Sequence, residues 1–197
     1  MKNRFWLVAV PFLFMACNNE STDSVSKADS LNEAKSDSNN MNDNSKMRGG
    51  VLGVSESTAS FMTGVADVGM TEVKLGQLAQ EKATNARIKA FGQMMVNDHS
   101  KAGDELKALA GKKNVTLPQT MGDDHQKKYD DLQKKLGKDF DKAYINAMVD
   151  GHESAVSDFK KNTDNSDADV KEWVNKTLPT LQMHLDSAKA IKKALKY

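Results

Sequence analysis

Phe91 to Leu109 reads Phe-Gly-Gln-Met-Met-Val-Asn-Asp-His-Ser-Lys-Ala-Gly-Asp-Glu-Leu-Lys-Ala-Leu, and its spacing decides the fold. Ile88, Phe91, Met95, Ala102, Leu106 and Leu109 recur at steps of three and four, a set that only one face of an α-helix collects. His99 alone interrupts the row. A polar group on an apolar stripe has to be partnered or in use, because burying it bare costs a few kcal/mol, on the order of 2–7.

The same period extends in both directions. Thr84 and Asn85 break the pattern before this helix, and Gly111 and Pro118 end it, so it spans about 86–112. Upstream, about 56–82 carries Phe61, Val65, Val68, Leu75 and Ala79 on one stripe after a Ser/Thr-rich start suited to capping. Downstream, a short polar helix at about 124–136 precedes Gly137 as a stop and Asp139 as a new N-cap. A third long helix then aligns Phe140, Tyr144, Met148, Val156 and Phe159. Ser166 with Asp169 resembles a capping box after the turn 164–167. A fourth long helix carries Val170, Val174, Leu178, Leu181, Ala188, Ile191 and Leu195, and Pro179 should kink or restart it. No stretch alternates as a half-buried strand does. The expectation is an all-α domain over 54–197: a four-helix bundle with a short extra helix between the second and third long helices.

Composition agrees with helices. Aromatics are 6 % of the 197 residues while Met numbers 11, which suits adaptable helical cores better than a β-sandwich. The 28 basic and 27 acidic side chains leave a formal charge of +1, so bulk charge offers no footprint for nucleic acid or for an anionic membrane.

The N-terminus reads as an export signal. Lys2 and Arg4 precede an apolar run from Phe5 to Ala16, well short of the roughly 20 residues that span a bilayer. Cys17, the single cysteine, follows small Ala16. This arrangement resembles the lipobox of bacterial lipoproteins, with Phe14 and Met15 departing from the usual Leu and small residue; the resemblance implies that Cys17 is lipidated after cleavage. Residues 1–17 are thus expected to be a lipoprotein signal peptide, with ordinary secretion as the alternative. Residues 18–53, rich in Ser, Asn, Asp and Lys, are expected to form a disordered polar tether. Asn18 in place of Asp resembles lipoproteins passed to the outer membrane, facing the periplasm.

Polar residues on the apolar stripes carry the functional signal. Glu72 lies between Val68 and Leu75, His99 after Met95, His152 after Met148, and His184 between Leu181 and Ala188, one from each long helix. Counted at about 1.5 Å per residue from the turns, Glu72 and His99 lie at similar heights, while His152 and His184 differ by about 9 Å. His125 sits among Asp123, Asp124 and Lys127, where a solvated surface role is expected. Helices two and three also echo each other: Phe91, Met95, Val96, His99, Ala102 and Leu106 align at constant offset with Tyr144, Met148, Val149, His152, Ala155 and Phe159.

On Gly69-Met-Thr-Glu72-Val, Asp98-His99, Phe140-Asp141-Lys142-Ala143-Tyr144, His152, Leu178-Pro179 and His184, the sequence resembles the domain-of-unknown-function family numbered 4142. The resemblance covers about 55–195. That family comprises exported bacterial proteins assigned to the ferritin-like superfamily, and it implies the bundle without implying an activity. The di-iron signature of ferritins, Glu-x-x-His from each of two helices, is absent; Met95 and Met148 stand one turn before the His.

Two functions remain open. One is an envelope lipoprotein whose bundle is a structural, stress-related or binding module, with the inward residues forming a hydrogen-bonded network. The other is a periplasmic metal-binding protein holding zinc or copper with His99, His152 and His184, with Glu72 as ligand or orienter and Met95 and Met148 as soft contacts. Asp98 and Glu153 point about 100° away from their neighbouring His and are not counted as ligands. No complete catalytic motif appears: inward Ser residues lack a base and orienter.

Overall fold

Six helices form among residues 23–37 and 52–196, which a computed structural model describes: α1 Ser24–Asp37, α2 Glu56–Lys82, α3 Ala86–Lys112, α4 Asp123–Gln133, α5 Gly137–Lys161 and α6 Ala168–Leu195. The cysteine, the apolar leader and residues 18–22 and 38–51 of the expected tether lie outside the described residues.

Local chemistry sets the helix starts. The Ser55 hydroxyl accepts the Thr58 amide to begin α2, and the Asn85 side-chain oxygen accepts the Arg87 amide to begin α3. For α6 the cap is Asp167, which accepts the amides of Asp169 and Val170, rather than Ser166. A carboxylate there also reaches Lys113 at 2.7 Å, a partner that a serine could not hold as an ion pair. Likewise α5 starts at Gly137 after Leu136, and Asp139 falls inside its first turn. Gly137 takes φ +56°, a left-handed conformation that turns the chain out of α4. Pro179 neither ends nor restarts α6; Pro179 and Asn175 are exposed, so the carbonyl that Pro179 cannot serve faces water.

Helices α2 and α3 form one antiparallel hairpin, α5 and α6 another. Thr58 meets Asn165 and Lys113 meets Asp167, which places the start of α2 and the end of α3 beside the α5–α6 turn. At the opposite end Asp141 of α5 accepts the amides of Thr84 and Asn85 at 2.9 and 3.0 Å. Helices α3 and α5 therefore run parallel, and the connection between them must return along the bundle. It does so beside α2: His125 meets Asp67 near the start of α4, and Lys82 donates to the Gln133 carbonyl near its end. This single long crossover is the ferritin-like connectivity of the four-helix bundle.

The parallel α3 and α5 give the sequence echo a physical form. Phe91 and Tyr144 pack edge to face with centroids 6.4 Å apart, and His99 and His152 do so at 5.6 Å. Equal offsets keep equivalent residues level along two parallel helices.

Residues 24–37 depart from the expected disorder. They form α1, which packs on α2 although its only buried residues are Ala28 and Asn32. Long-range hydrogen bonds take the place of an apolar stripe. Asn32 donates to the Thr116 carbonyl at 2.9 Å and accepts the Thr116 amide at 2.7 Å, Lys35 donates to the Asn114 carbonyl, and Thr63 of α2 donates to Asp29. With α1, α3, α4 and α5 all against it, α2 buries Met62, Thr63, Asp67 and Thr71, while Phe61, Val65 and Val68 are only half-buried. All the buried side chains among the described residues lie between Ala28 and Ala188, so the chain from residue 23 onward carries the described core. None of the described helices is long and apolar enough to cross a membrane.

Candidate metal centre

Glu72 of α2, His99 of α3, His152 of α5 and His184 of α6 are all buried and meet in the middle of the bundle. The ring centroids of the three His form a near-equilateral triangle with sides of 5.6, 5.2 and 5.4 Å. The height difference counted along the chain between His152 and His184 is thus absorbed in the packing. One nitrogen from each ring lies within 4.8 Å of the others. A metal bonded to all three at about 2.1 Å would draw them to roughly 3.4 Å, a movement that side-chain torsions can supply.

One nitrogen of each ring has an oxygen close beside it. His184 Nε2 lies 2.9 Å from Asp98 Oδ2, His152 Nδ1 lies 2.9 Å from the Met148 carbonyl, and His99 Nδ1 lies 3.0 Å from Glu72 Oε2. Ionised carboxylates and carbonyls only accept, so His184 Nε2 and His152 Nδ1 carry the proton, and the charge of Glu72 favours a proton on His99 Nδ1 beside it. That fixes the tautomers: His99 Nε2, His152 Nε2 and His184 Nδ1 bear the lone pairs of the neutral rings, and these three atoms have no hydrogen-bond partner among the described residues. Imidazoles held from behind by carboxylate or carbonyl are the usual support of metal-binding His.

Glu72 stands behind the triad. Its Oε1 lies 3.3 Å from His152 Nδ1, so the one carboxylate touches two imidazoles on their proton-bearing side. Both contacts are short enough for ion pairs, yet neither Glu72 oxygen meets hydrogen-bond angles, so charge carries most of the interaction. Burial pushes the Glu72 carboxyl up, but the positive charge of His99, then of His152, outweighs it and holds the group down at about 2. Burial disfavours a charged His99, yet the adjacent Glu72 raises its pKa overall. His184 is pushed down to about 4, chiefly by burial, against the opposing hydrogen bond to Asp98. At neutral pH His184 therefore offers a lone pair without first losing a proton.

Met95 and Met148, expected as soft contacts, both have buried side chains, and it is the Met148 carbonyl oxygen that meets His152. Asp98 has a role that helical spacing alone does not reveal. About 100° from His99 on α3, it faces α6 and orients His184, while 37 % of its side chain stays exposed. The adjacent Asp-His pair was its only sequence signal. Tyr144 beside the site keeps its phenol protonated, because burial and the Glu72 charge both raise its pKa. His125 is not a solvated surface residue: its Nδ1 lies 2.6 Å from buried Asp67, whose second oxygen accepts the Gly122 amide, and together these fasten α4 to α2.

A crystal structure of a DUF305 fragment from Deinococcus radiodurans superposes with a TM-score of 0.63 over 70 % of this chain and 96 % of that one, at 10 % identity, which is a likeness of fold. No curated protein matches the chain. The domain of unknown function DUF4142 matches residues 45–191, a span that includes the four inward residues, Asp98 and most of α6, and the chain belongs to that family.

Proposed function

We propose that this protein binds a single metal ion inside its helical bundle, with His99, His152 and His184 as ligands and Glu72, Asp98 and the Met148 carbonyl orienting them. The observation that carries this reading is the set of three buried imidazoles with nitrogens within 4.8 Å of one another, each ring keeping one nitrogen without a partner and the other beside an oxygen. Leaving such atoms bare costs on the order of 1–3 kcal/mol apiece, and a cation offsets all three at once. Imidazole donors suit zinc or copper. Export and lipid attachment through Cys17, which supply the envelope setting, rest on the sequence alone, and replacement of Cys17 by Ser with labelled-lipid incorporation as readout tests them.

The metal reading is tested by titrating the chelator-treated protein with zinc and with copper. One equivalent should bind, and His152→Ala should weaken binding at least about a hundredfold; Asp98→Asn, which removes only an orienting acceptor, should cost about 10–100-fold. Absence of stoichiometric binding, or binding untouched by His99→Ala, would sink the proposal.

The Glu72–His99 contact also favours a second reading, a buried polar network that fixes helix register. Under it, His99→Leu changes stability while no metal changes the melting temperature of the parent protein.

A further inference from the structure

A second surface, at one end of the bundle, has chemistry of its own. Leu136, between α4 and α5, is 72 % exposed, more than any other large apolar side chain among the described residues. Lysines surround it in sequence: Lys134 and Lys135 before it, Lys138 and Lys142 after it. Lys134 is engaged with Asp131 at 3.1 Å. Lys135, Lys138 and Lys142 are exposed, and their ammonium groups make no ion pair or hydrogen bond among the described residues. With Leu136 and Asp139, Lys134, Lys135 and Lys142 line an open cleft of about 570 Å³. A neighbouring cleft joins Lys138 to Thr84, Asn85 and Leu195, which brings the α2–α3 turn and the end of α6 to the same place.

The opposite end differs. There Lys113 is bonded to Asp167 and Asp169, Lys161 to Asp158 and Lys171 to Asp164. A formal charge of +1 for the whole chain therefore hides an uneven distribution: Lys113, Lys161 and Lys171 are held by carboxylates at one end, while Lys135, Lys138 and Lys142 are left available at the other.

We infer that the Leu136 loop is a docking surface for an anionic phospholipid bilayer, with Leu136 entering the headgroup layer and Lys135, Lys138 and Lys142 lying over lipid phosphates. Charge complementarity carries the choice, together with the shape of the apolar part. A stable protein partner needs a broad contact, on the order of 800 Å² from each side, with an apolar centre. One protruding leucine ringed by spread-out lysines does not provide that. A bilayer needs only diffuse positive charge and a small apolar insertion.

The test uses the chain from residue 18, which keeps every described helix and has no acylation site. It should co-sediment with vesicles of phosphatidylcholine and phosphatidylglycerol at about 0.05 M salt, should ignore pure phosphatidylcholine, and should be released near 0.5 M salt. The triple variant Lys135→Gln, Lys138→Gln, Lys142→Gln should lower partitioning about a hundredfold, and Leu136→Ser about tenfold. Circular dichroism of both variants should match the parent, since none of these side chains is buried. Lys160→Gln, Lys161→Gln, Lys171→Gln at the other end should bind as the parent does. The inference is overturned if the parent ignores anionic vesicles, or if both triple variants lose binding equally. Binding to polyglutamate without binding to vesicles would overturn it in favour of an acidic protein surface.

Discussion

Between α2 and α3 the closest approach is backbone to backbone, whereas between α5 and α6 bulky rings fill the gap. A Cβ on Gly76 would come within 2.6 Å of the Gly92 carbonyl oxygen, and one on Gly92 within 2.7 Å of the Gly76 carbonyl oxygen. In the other hairpin Phe159 lies obliquely against Trp173 at 5.5 Å, and it also meets Phe61 of α2 edge-on at 5.4 Å. The polar groups divide in the same way. The first hairpin supplies an opposite pair, Glu72 and His99, while the second supplies two histidines, which repel when both are protonated. Two antiparallel hairpins of similar length thus tolerate opposite changes: one resists added volume, the other resists lost volume.

The largest effect should come from removing volume where rings do the filling. Phe159→Ala should cost about 3–5 kcal/mol in urea unfolding. A loss below about 1 kcal/mol would mean that Trp173 and Phe61 collapse into the space and that the hairpins do not differ in this way.

Acid should come next, and it should act on the second hairpin first. His184 has its folded pKa lowered from 6.5 to about 4, so the stability it contributes is present above about 6.5 and is lost as pH falls toward 4. The shift corresponds to a loss on the order of 3 kcal/mol. Glu72, held at about 2 against an ordinary 4.5, loses its contribution only below about 4.5. Since the pKa of His99 is raised in the fold, its own contribution is already complete below its ordinary value near 6.5 and leaves that window to His184. Unfolding of chelator-treated protein measured from pH 7.5 to 4.5 should show the slope, and His184→Gln should flatten it. A parent protein with pH-independent stability over that range contradicts the assignment.

The smallest effect separates contact from propensity within one helix. Gly92→Ala should destabilise by about 2 kcal/mol through overpacking, even after gaining helix propensity. Gly103→Ala, whose Cβ would meet nothing within 4 Å, should stabilise by up to about 1 kcal/mol. Equal melting temperatures for the two variants would show that the hairpin opens freely to accommodate a methyl group.

Much of this arrangement is legible in the sequence, because periodicity reports what each helix does with its own apolar face. The limits of α2 and α3 follow from Ser55, Asn85 and the apolar steps between them, and the inward direction of His99, His152 and His184 follows from the same count. What periodicity omits is held by contacts distant in sequence. Helix α1 has no stripe to read; it depends on Asn32 meeting Thr116, 84 residues away. Asp98 looks outward on its own helix and becomes part of the site only because α6 passes beside it. His125 looks solvated until α4 returns along α2 and meets Asp67, 58 residues earlier. Net charge fails similarly, since a sum over the chain cannot show which lysines the fold leaves without carboxylates.

The docking of α1 sets a length scale for a chain held at Cys17. The folded part begins at Asp23, whose carboxylate accepts the Asp123 amide. Asp23 lies six residue steps after Cys17 in the sequence, and fully extended these reach about 20 Å. Were α1 released and Leu52 the first fixed point, the same limit would be about 120 Å. If Cys17 is lipidated as proposed, hydrogen bonds between Asn32, Lys35 and the 114–116 segment would decide the radius the bundle could sweep, making it a fixture close to its attachment point instead of a probe on a long line.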